Sequence, residues 1–321
     1  MTIPQESSPT DSAPTSASTA AQILPQAPTV AAIVVTRNRL ALLQECLAAL
    51  RAQTRRPDEI LVIDNASDDG TREYLNAQTD LVVIHQGNVG GAGGFHRGIK
   101  EAYGRGHDWF WCMDDDTIPA PDALETLSAA PSFADKSAGY LGSVVRWTDG
   151  ALHKMNMVGG HDKGYDWYNT VLGDKCVPSS ISTFVSILIN RRAVAKVGLP
   201  IKEFFIWSDD VEYTHRVSRV FPCFHVLDSV ALHKTPFNKD GGVAGLEPHE
   251  FWKLRYGLRN QVTFLRRQQG LSLRGLRVAY FIARNIFFIV KARAPLSLIK
   301  NLLSGLWFNP RIERVAPDKA L

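Results

Sequence analysis

Hydrophobic residues along this chain alternate between short continuous runs and stretches with helical spacing. The runs are rich in Val, Ile and aromatic residues and predict strands at 30–36, 59–64, 81–85 and 108–113. Helical spacing follows each run, at 40–53, 71–77, 95–104 and 121–129. Strands that alternate with helices imply parallel crossovers. The pattern therefore predicts an α/β protein with a Rossmann-like, mostly parallel sheet flanked by helices.

The rest of the chain is less regular and sets the expected domain boundaries. Strands are predicted at 182–190 and 223–232, a helix at 209–220, and a glycine-rich loop at 235–246. Residues 1–28 are rich in Ser, Thr, Ala, Pro and Gln, which predicts a disordered leader because little apolar surface can be buried there. From Phe251 onward the pattern is helical, basic and amphipathic. We expect a leader at 1–28, an α/β domain at 29–248 and a helical region at 249–321.

Composition and charge narrow the class of protein. The sequence is 45% hydrophobic and 21% charged, which excludes a fully disordered chain and a polytopic membrane protein. The N-terminus lacks a secretory signal pattern and the four cysteines form no C-x-x-C pair, so we expect a cytoplasmic protein with reduced thiols. Residues 251–321 carry 14 Lys and Arg against 2 Asp and Glu, whereas residues 1–250 carry 22 against 30. The helical region should therefore seek an anionic surface, either nucleic acid or an acidic membrane leaflet.

The apolar stretch 278–290 in this basic region is too short to span a bilayer and is interrupted by Arg284. Basic residues flank it and aromatic residues lie between them. That composition fits a helix lying in the membrane interface. The alternative is a helix that packs its apolar face against the α/β domain or a second subunit.

Polar residues follow the first two predicted strands, at the edge where parallel sheets bind ligands. Thr36, Arg37, Asn38 and Arg39 come after the first strand, where they suit either a helix N-cap or a phosphate site. Asp64 ends the second strand, where it either caps a turn or accepts hydrogen bonds from a ribose or uracil.

A glycine-rich segment follows the third strand, with five glycines in residues 87–94. So many glycines cost backbone entropy, which favours close approach of a ligand as their reason. The dinucleotide template fails because His96 stands where glycine is needed, and the P-loop template fails because Ile99 stands where lysine is needed.

Three adjacent carboxylates end the fourth strand, at Asp114, Asp115 and Asp116. In an extended chain residues i and i+2 point the same way, so Asp114 and Asp116 can converge on one ion while Asp115 turns aside. A divalent cation would relieve the repulsion among them, and oxygen ligands favour Mg²⁺ or Mn²⁺. The alternative is a solvated acidic turn.

A second acidic motif lies in the less regular half. Asp209 and Asp210 follow an aromatic run that contains Trp207. They either cap a helix or supply a general base whose pKa is raised by neighbouring carboxylates and the apolar wall. His233 ends the last predicted strand and would add a nitrogen ligand to the aspartates, a mixture that suits Mn²⁺.

These motifs, in this order, resemble the family 2 inverting glycosyltransferases, which have the GT-A fold. They read VVTRNR, VIDNASDDGT, GNVGGAGGF, MDDD and WSDDVEY, then a downstream histidine, and cover residues 30–235. The glycine-rich segment with the triple aspartate is most similar to the galactofuranosyltransferases of cell-wall galactan synthesis, of the initiating type. Rhamnosyltransferases of the same family share most of the pattern. The resemblance makes 29–248 a GT-A catalytic domain and 249–321 a membrane-facing helical region.

The resemblance also implies roles for single residues. Asp114 and Asp116 would bind Mn²⁺ or Mg²⁺ with His233 as the third ligand, and Asp210 would be the catalytic base. The substrate-binding residues would be Thr36, Arg37, Asn38, Arg39, Asp64, Asn88, Gly90, Gly91, Asp115, Trp207 and Asp209. Ser208 departs from the pattern, because the polymerising relatives have tryptophan directly before the acids, and this bears on the acceptor.

The implied activity is metal-dependent, inverting transfer of galactofuranose from UDP-galactofuranose to a polyprenyl-diphosphate-linked rhamnosyl disaccharide. The alternatives are a rhamnosyltransferase that uses dTDP-rhamnose and, from another class, a nucleic-acid-binding protein that acts through the basic tail. The first interpretation gives nucleic acid no role and places the enzyme in the cytoplasm, peripheral on the inner face of the plasma membrane. The loop 235–246 would close over the donor, or would simply be mobile.

Overall fold

The computed structural model describes residues 27–156, 159–160, 173–239, 250–268 and 274–316. Its strands are β1 (Val30–Thr36), β2 (Glu59–Asn65), β3 (Val82–Gln86), β4 (Trp109–Asp114), β5 (Thr117–Pro119), β6 (Tyr140–Arg146), β7 (Gly159–Gly160), β8 (Cys176–Ile181), β9 (Ile187–Asn190) and β10 (Cys223–His233). Its helices are α1 (Leu40–Arg51), α2 (Thr71–Asn76), α3 (Gly90–Gly104), α4 (Ala123–Ala129), α5 (Pro131–Ala134), α6 (Arg191–Val197), α7 (Asp209–Ser218), α8 (Phe251–Arg267), α9 (Arg274–Lys291) and α10 (Ser297–Ser304). Most of the predicted leader 1–28 and of the loop 235–246 lies outside the described residues.

The strands form one sheet in the order β3-β2-β1-β4-β9-β6-β10-β8-β7, with β5 paired to β10. β1 pairs in parallel with β2 and β4, β2 with β3, and β6 with β10. β9 lies antiparallel between β4 and β6, so those two strands also share a direction. The predicted mostly parallel sheet is therefore confirmed, and the carboxyl ends of β1, β2, β3, β4, β6 and β10 meet at one edge.

Both faces of this sheet are covered by core, as the continuous apolar runs require. Along β1, Ala32 and Val34 belong to one buried cluster, whereas Ile33 and Val35 belong to the cluster on the opposite face. β4 alternates in the same way. Burial on both faces fixes the register, because a slip of one residue would exchange the two sets. The strand ends, and the polar residues on them, are fixed with it.

The glycine-rich segment begins a helix, although the sequence predicted a helix only from residue 95. In α3 a Cβ on Gly94 would lie 2.4 Å from Val35 Cγ1, and one on Gly98 would lie 2.4 Å from Ile33 Cγ2. These two glycines therefore let α3 pack directly on β1. Close packing within the chain, rather than approach of a ligand, is the physical reason for both.

The C-terminal helices form a smaller core beside the sheet. α8, α9 and α10 bury an apolar cluster whose members are Leu254, Leu258, Val262, Val278, Ile289, Ala294, Leu298 and Leu302. Residues 305–316, here called the return segment, then run back over the α/β domain. Glu313 accepts a backbone hydrogen bond from Leu199 at 2.9 Å, and its carboxylate pairs with Lys100 at 2.7 Å and His96 at 3.1 Å. Within the described residues, every helix is too short or too polar to cross a bilayer.

Candidate active site

The predicted site residues converge at one edge of the sheet. Thr36 ends β1, Asp114 ends β4 and His233 ends β10. Because these strands point the same way, their last residues meet, although up to 197 positions separate them along the chain. The site is thus a direct consequence of parallel topology.

Asp114, Asp116 and His233 form a cluster suited to a cation. One ligand atom from each lies within 4.8 Å of the others. Asp115 is not part of this cluster and accepts a hydrogen bond from Thr36 Oγ1 at 2.8 Å. Arg39 lies beside this cluster and pairs with Asp116 at 2.5 Å and with Asp115 at 3.4 Å.

The surroundings of His233 prepare one ring nitrogen to coordinate a metal. The Asn156 amide N–H₂ donates to Thr183 Oγ1 at 2.6 Å, so its oxygen accepts from His233 Nδ1 at 2.9 Å. Nε2 then carries the lone pair and lies 3.2 Å from Asp116 Oδ1, a buried oxygen without a hydrogen-bond partner. A lone pair facing an unsatisfied carboxylate oxygen fits a divalent cation between them. Sequence reasoning missed Asn156, which lies outside every periodic pattern.

The three neighbouring carboxyls titrate very differently. Burial, together with the charges of Asp116 and Asp115, raises the pKa of Asp114 well above its usual range. Burial raises the pKa of Asp115 to about 6, against the lowering effect of Arg39. Burial raises the pKa of Asp116, but His233, when its Nε2 carries a proton in place of a cation, and Arg39 outweigh burial and lower that pKa to about 2. Such crowding of negative charge indicates a place for a positive ion.

The loop after β1 is held by the loop after β2. The Asn38 backbone N–H donates to Ser67 Oγ at 3.0 Å, and its side chain exchanges hydrogen bonds with Asp68. Arg37 is exposed and donates its backbone N–H to Asp115 Oδ2 at 3.4 Å. This arrangement leaves Arg37 exposed and brings the Arg39 side chain to the acidic cluster.

Asp64 is fully buried, and both of its carboxylate oxygens have partners within the chain. Oδ1 accepts the Ser67 backbone N–H at 2.9 Å, and Oδ2 lies 2.8 Å from His85 Nδ1. The side chain therefore shapes the loop after β2. A role for Asp64 in nucleotide binding stays a prediction, and His85 was not among the predicted site residues.

The start of α3 touches the segment that precedes the second acidic motif. Gly90 has a φ of +73°, and a Cβ there would lie 2.0 Å from the Phe205 carbonyl oxygen. Ala92 donates its backbone N–H to the same oxygen at 3.2 Å. Asn88 is exposed and accepts the Gly90 backbone N–H at 3.1 Å, whereas a Cβ on Gly91 would meet nothing within 4 Å. The contact with Phe205 and the positive φ thus require glycine at position 90. At position 91 the space that a Cβ would occupy is open.

The second acidic motif begins α7. Burial and the charge of Asp210 raise the pKa of Asp209 well above its usual range. Burial raises the pKa of Asp210 to about 6, although the Val211 backbone N–H donates to its Oδ1 at 2.7 Å. The charge of Asp209 in turn contributes to the raised pKa of Asp114, so the two acidic motifs are close enough to interact. A carboxyl with a pKa of about 6 is suited to accept a proton near neutral pH.

Trp207, predicted to bind substrate, packs against α8. Its ring lies over Gly257 of α8, where a Cβ would come within 2.5 Å of Cε3. It remains partly exposed, so a contact with sugar on its other face stays a prediction. A cavity of about 550 Å³ opens near this segment, between Asn88 and the stacked rings of Phe205 and Tyr256.

Comparisons with known proteins show the class of enzyme to which this fold and edge site belong, the family 2 glycosyltransferases. Residues 31–181 match the model "Glycosyl transferase family 2", and the chain belongs to this family. It is 31% identical over 307 residues to galactofuranosyltransferase GlfT1 of Mycobacterium tuberculosis, a match that covers 89% of this chain and 94% of that protein.

Two solved structures show that the fold is GT-A. GalNAc-T7, solved with UDP, GalNAc and Mn²⁺, has a TM-score of 0.56 at 16% identity, covering 75% of this chain and 48% of that one. Mannosyltransferase PcManGT of Pyrobaculum calidifontis, solved with GDP-Man and Mn²⁺, has a TM-score of 0.52 at 18% identity. That match covers 88% of this chain and 75% of the mannosyltransferase chain. The predicted fold class and enzyme class are confirmed.

Proposed function

We propose that this enzyme transfers galactofuranose from UDP-galactofuranose, with inversion, to a polyprenyl-diphosphate-linked rhamnosyl disaccharide in cell-wall galactan synthesis. The convergence of Asp114, Asp116 and His233 beside the Asp209–Asp210 pair carries the proposal. The choice of galactofuranose as the transferred sugar is supported by the relative named as a galactofuranosyltransferase. The chain is 31% identical to that relative along 94% of its length.

The cation site has a definite part in this reaction. Asp114, Asp116 and His233 would hold Mn²⁺ or Mg²⁺, and Arg39 and Asp115 flank them. When bound, the ion supplies Lewis-acid neutralisation of the diphosphate that leaves. Arg37 and Arg39, at the surface beside the cluster, add positive charge on the same side. Thr36, Asn38, Asp64, Asn88, Gly90, Gly91 and Asp115 would shape the nucleotide pocket.

Asp210 performs the proton transfer. Its carboxylate takes the proton of the acceptor hydroxyl while that oxygen forms the new bond to the anomeric carbon and the bond from that carbon to UDP breaks. Asp209 and Trp207 orient the acceptor or the sugar. A single displacement from the face opposite to UDP inverts the anomeric centre. General-base assistance of this kind contributes about 10²–10⁴ in rate.

The acceptor is carried by a lipid, and the exposed face of α9 suits a lipid surface. Leu276 and Tyr280 are each 68% exposed, Phe287 is 61% exposed and Val290 is 58% exposed. At helical spacing these four side chains fall on one face of α9 and form what we call the apolar stripe. Arg277, Arg284 and Lys291 are exposed beside it. An apolar stripe with basic neighbours fits the interface of an anionic leaflet, which would hold the enzyme at the inner face of the membrane.

Removal of His233 tests the cation site. We expect His233→Ala to raise the Mn²⁺ concentration needed for half-maximal stabilisation by UDP at least tenfold, since one of three ligands is lost. The measurement is a thermal shift titration of Mn²⁺ at fixed UDP. His107→Gln is the matched control, because His107 pairs with Glu59 away from the cluster. An identical titration for His233→Ala and the parent would remove His233 from the site.

A donor panel tests the activity itself. The purified enzyme is given UDP-galactofuranose, dTDP-rhamnose or UDP-glucose with a lipid-linked rhamnosyl acceptor and Mn²⁺, and products are read by mass spectrometry. We expect the acceptor to be extended by one or more galactofuranosyl units when UDP-galactofuranose is the donor, and not to be extended with either of the other donors. Extension only from dTDP-rhamnose would replace the proposal with a rhamnosyltransferase.

A further inference from the structure

The backbone just before the acidic pair has a conformation that side chains rarely adopt. Residues 204–208, here called the acid loop, connect the short helix Lys202–Phe204 to α7. Phe205, Trp207 and Ser208 have φ values of 66°, 67° and 67°. Each costs on the order of 1 kcal/mol or more and persists only where the surroundings hold it. Asp209 and Asp210 follow directly, so whatever holds the acid loop also places them.

One buried side chain of α8 holds it. Asn260 is 0% exposed. Its Nδ2 lies 2.9 Å from the carbonyl oxygen of Phe204, 3.1 Å from that of Ile206 and 2.9 Å from that of Trp207. Three carbonyls on four consecutive residues thus share one amide as donor. Without it, these oxygens would be left in the interior with a weaker set of partners, which is costly.

The orientation of the Asn260 amide is fixed by its neighbour on the helix. Asn260 Oδ1 accepts from Arg259 Nε at 3.1 Å and from Nη2 at 2.9 Å. Because the oxygen is engaged by a cation, the N–H₂ group must face the acid loop. Arg259 Nη2 also donates to the Glu203 carbonyl at 2.7 Å, which extends the same support toward the preceding turn.

Two more residues on this face of α8 meet the acid loop. Gly257 leaves the space that the Trp207 ring fills. Ser208 donates from Oγ to Gln261 Oε1 at 3.2 Å. The loop is therefore confined between α8 and the start of α3, where the Phe205 carbonyl contacts Gly90 and Ala92.

We infer that Asn260 is a positioning residue for the reaction: it holds the acid loop in its strained form and so sets the positions of Asp209 and Asp210, which follow directly. This inference rests on the proposed function for its catalytic consequence. Asn260 lies outside residues 31–181, which match the family model. It gives α8 a part in the active site in addition to its part in the C-terminal core.

Asn260→Ala tests the inference against a matched control, Asn285→Ala. Asn285 is also a buried asparagine of the C-terminal helices, but its Nδ2 donates to Phe281 within its own helix, at 2.8 Å. We expect Asn260→Ala to speed hydrogen–deuterium exchange in residues 204–212 and to lower kcat about 100-fold. UDP affinity in the presence of Mn²⁺ should change less than threefold. Asn285→Ala should leave residues 204–212 and kcat near parental values.

Gly257→Ala provides an independent test that removes no polar group. Alanine is the better helix former by about 1 kcal/mol, so α8 itself is not weakened, while the new methyl group displaces the Trp207 ring. We expect the same faster exchange in residues 204–212 and at least tenfold lower kcat. If Asn260→Ala fails to fold, exchange at 204–212 in Gly257→Ala still tests whether contact with α8 holds the acid loop, and unchanged exchange there would overturn the inference.

Three results would overturn the inference: unchanged exchange at 204–212, kcat within threefold of the parent, or equal losses in Asn260→Ala and Asn285→Ala. Failure of the unaltered enzyme to use any donor would instead contradict the proposed function. The exchange comparison would still show whether Asn260 holds the acid loop, because it needs no substrate.

Discussion

Asp210 has a pKa of about 6, raised by burial, and it must be ionised to accept a proton. We therefore expect kcat to fall about tenfold per pH unit below pH 6. Asp210→Asn should lower kcat by about 10²–10⁴ while UDP affinity stays within about twofold. Glu212→Gln is the control, since Glu212 pairs with Arg216 within α7. Near-normal turnover of Asp210→Asn would place the base elsewhere.

The same raised pKa implies a stability cost in the native enzyme. Between pH 4 and 6 the folded state binds the Asp210 proton more tightly than the unfolded chain, whose pKa is about 3.9. The free energy of unfolding should therefore decline as pH rises through this window, by up to about 3 kcal/mol. Asp210→Asn escapes this decline, so its Tm should exceed that of the parent at pH 7 and approach it near pH 4.

Gly90 and Gly91 form a natural pair for a second test. Gly90 has a positive φ and faces the Phe205 carbonyl, whereas the position of a Cβ on Gly91 is open. We expect Gly90→Ala to lower the free energy of unfolding by about 2–4 kcal/mol through backbone strain and overpacking. Gly91→Ala should leave it within about 0.5 kcal/mol. Denaturant unfolding of both variants measures the difference, and equal stabilities would contradict the contact with Phe205.

Among single residues, the sequence predicted the polar side chains at strand ends. It missed the asparagines that hold functional side chains or loops in place. Asp114, Asp116 and His233 could be found because each closes an apolar run at the sheet edge. Asn156 and Asn260 could not, because an isolated asparagine has no periodic signature and the groups that they support, His233 and the acid loop, lie 77 and 53–56 positions away along the chain.

Among the elements, strands buried on both faces were the most predictable. β1 occurs at 30–36 as predicted, and β2 and β4 differ from prediction by a single residue at their ends. β6 was missed because Gly142 and Ser143 interrupt its apolar pattern, and the strand predicted at 182–190 is confined to β9. α3 begins five residues before the predicted helix, because glycines are poor helix formers and the sequence pattern predicts no helix over them. Packing against β1 overrides that propensity.

α9 is the element whose environment can be tested most directly. Phe287 lies in the apolar stripe and is 61% exposed, so Phe287→Glu removes apolar area and adds repulsion toward anionic lipid. We expect at least tenfold weaker binding to vesicles containing phosphatidylglycerol, measured by sedimentation. Val220→Glu is the control, because Val220 is half exposed and lies outside the C-terminal helices. Parental binding by Phe287→Glu would contradict docking through this face.

For the whole molecule, the sequence predicted a boundary near residue 248 from the change in charge. The structure ties the two sides of that boundary together. Phe204 and Ile201 pack with Phe308 and Ile312 of the return segment, and Glu313 pairs with Lys100. Such contacts between distant segments leave no trace in local composition, so the boundary could be predicted but the attachment could not.

A chain that ends at residue 248 tests whether residues 29–248 form an independent domain. It would lack Asn260 and the return segment and would expose Phe204 and Ile201 to water. We expect its Tm to fall by more than about 5 °C, which for a chain of this size corresponds to a loss of about 2 kcal/mol. A chain that ends at residue 316 should melt with the parent. Equal Tm values for all three would make the predicted boundary a true domain boundary.

Asn260 lies 50 residues after Asp210. A ribosome that adds about 5–20 residues per second therefore makes the acidic pair roughly 3–10 s before the amide that fixes its direction. β10 and His233 are made within that interval, so every residue of the sheet edge precedes Asn260 along the chain. The residues proposed to hold the donor are thus synthesised before the one that supports the proton acceptor.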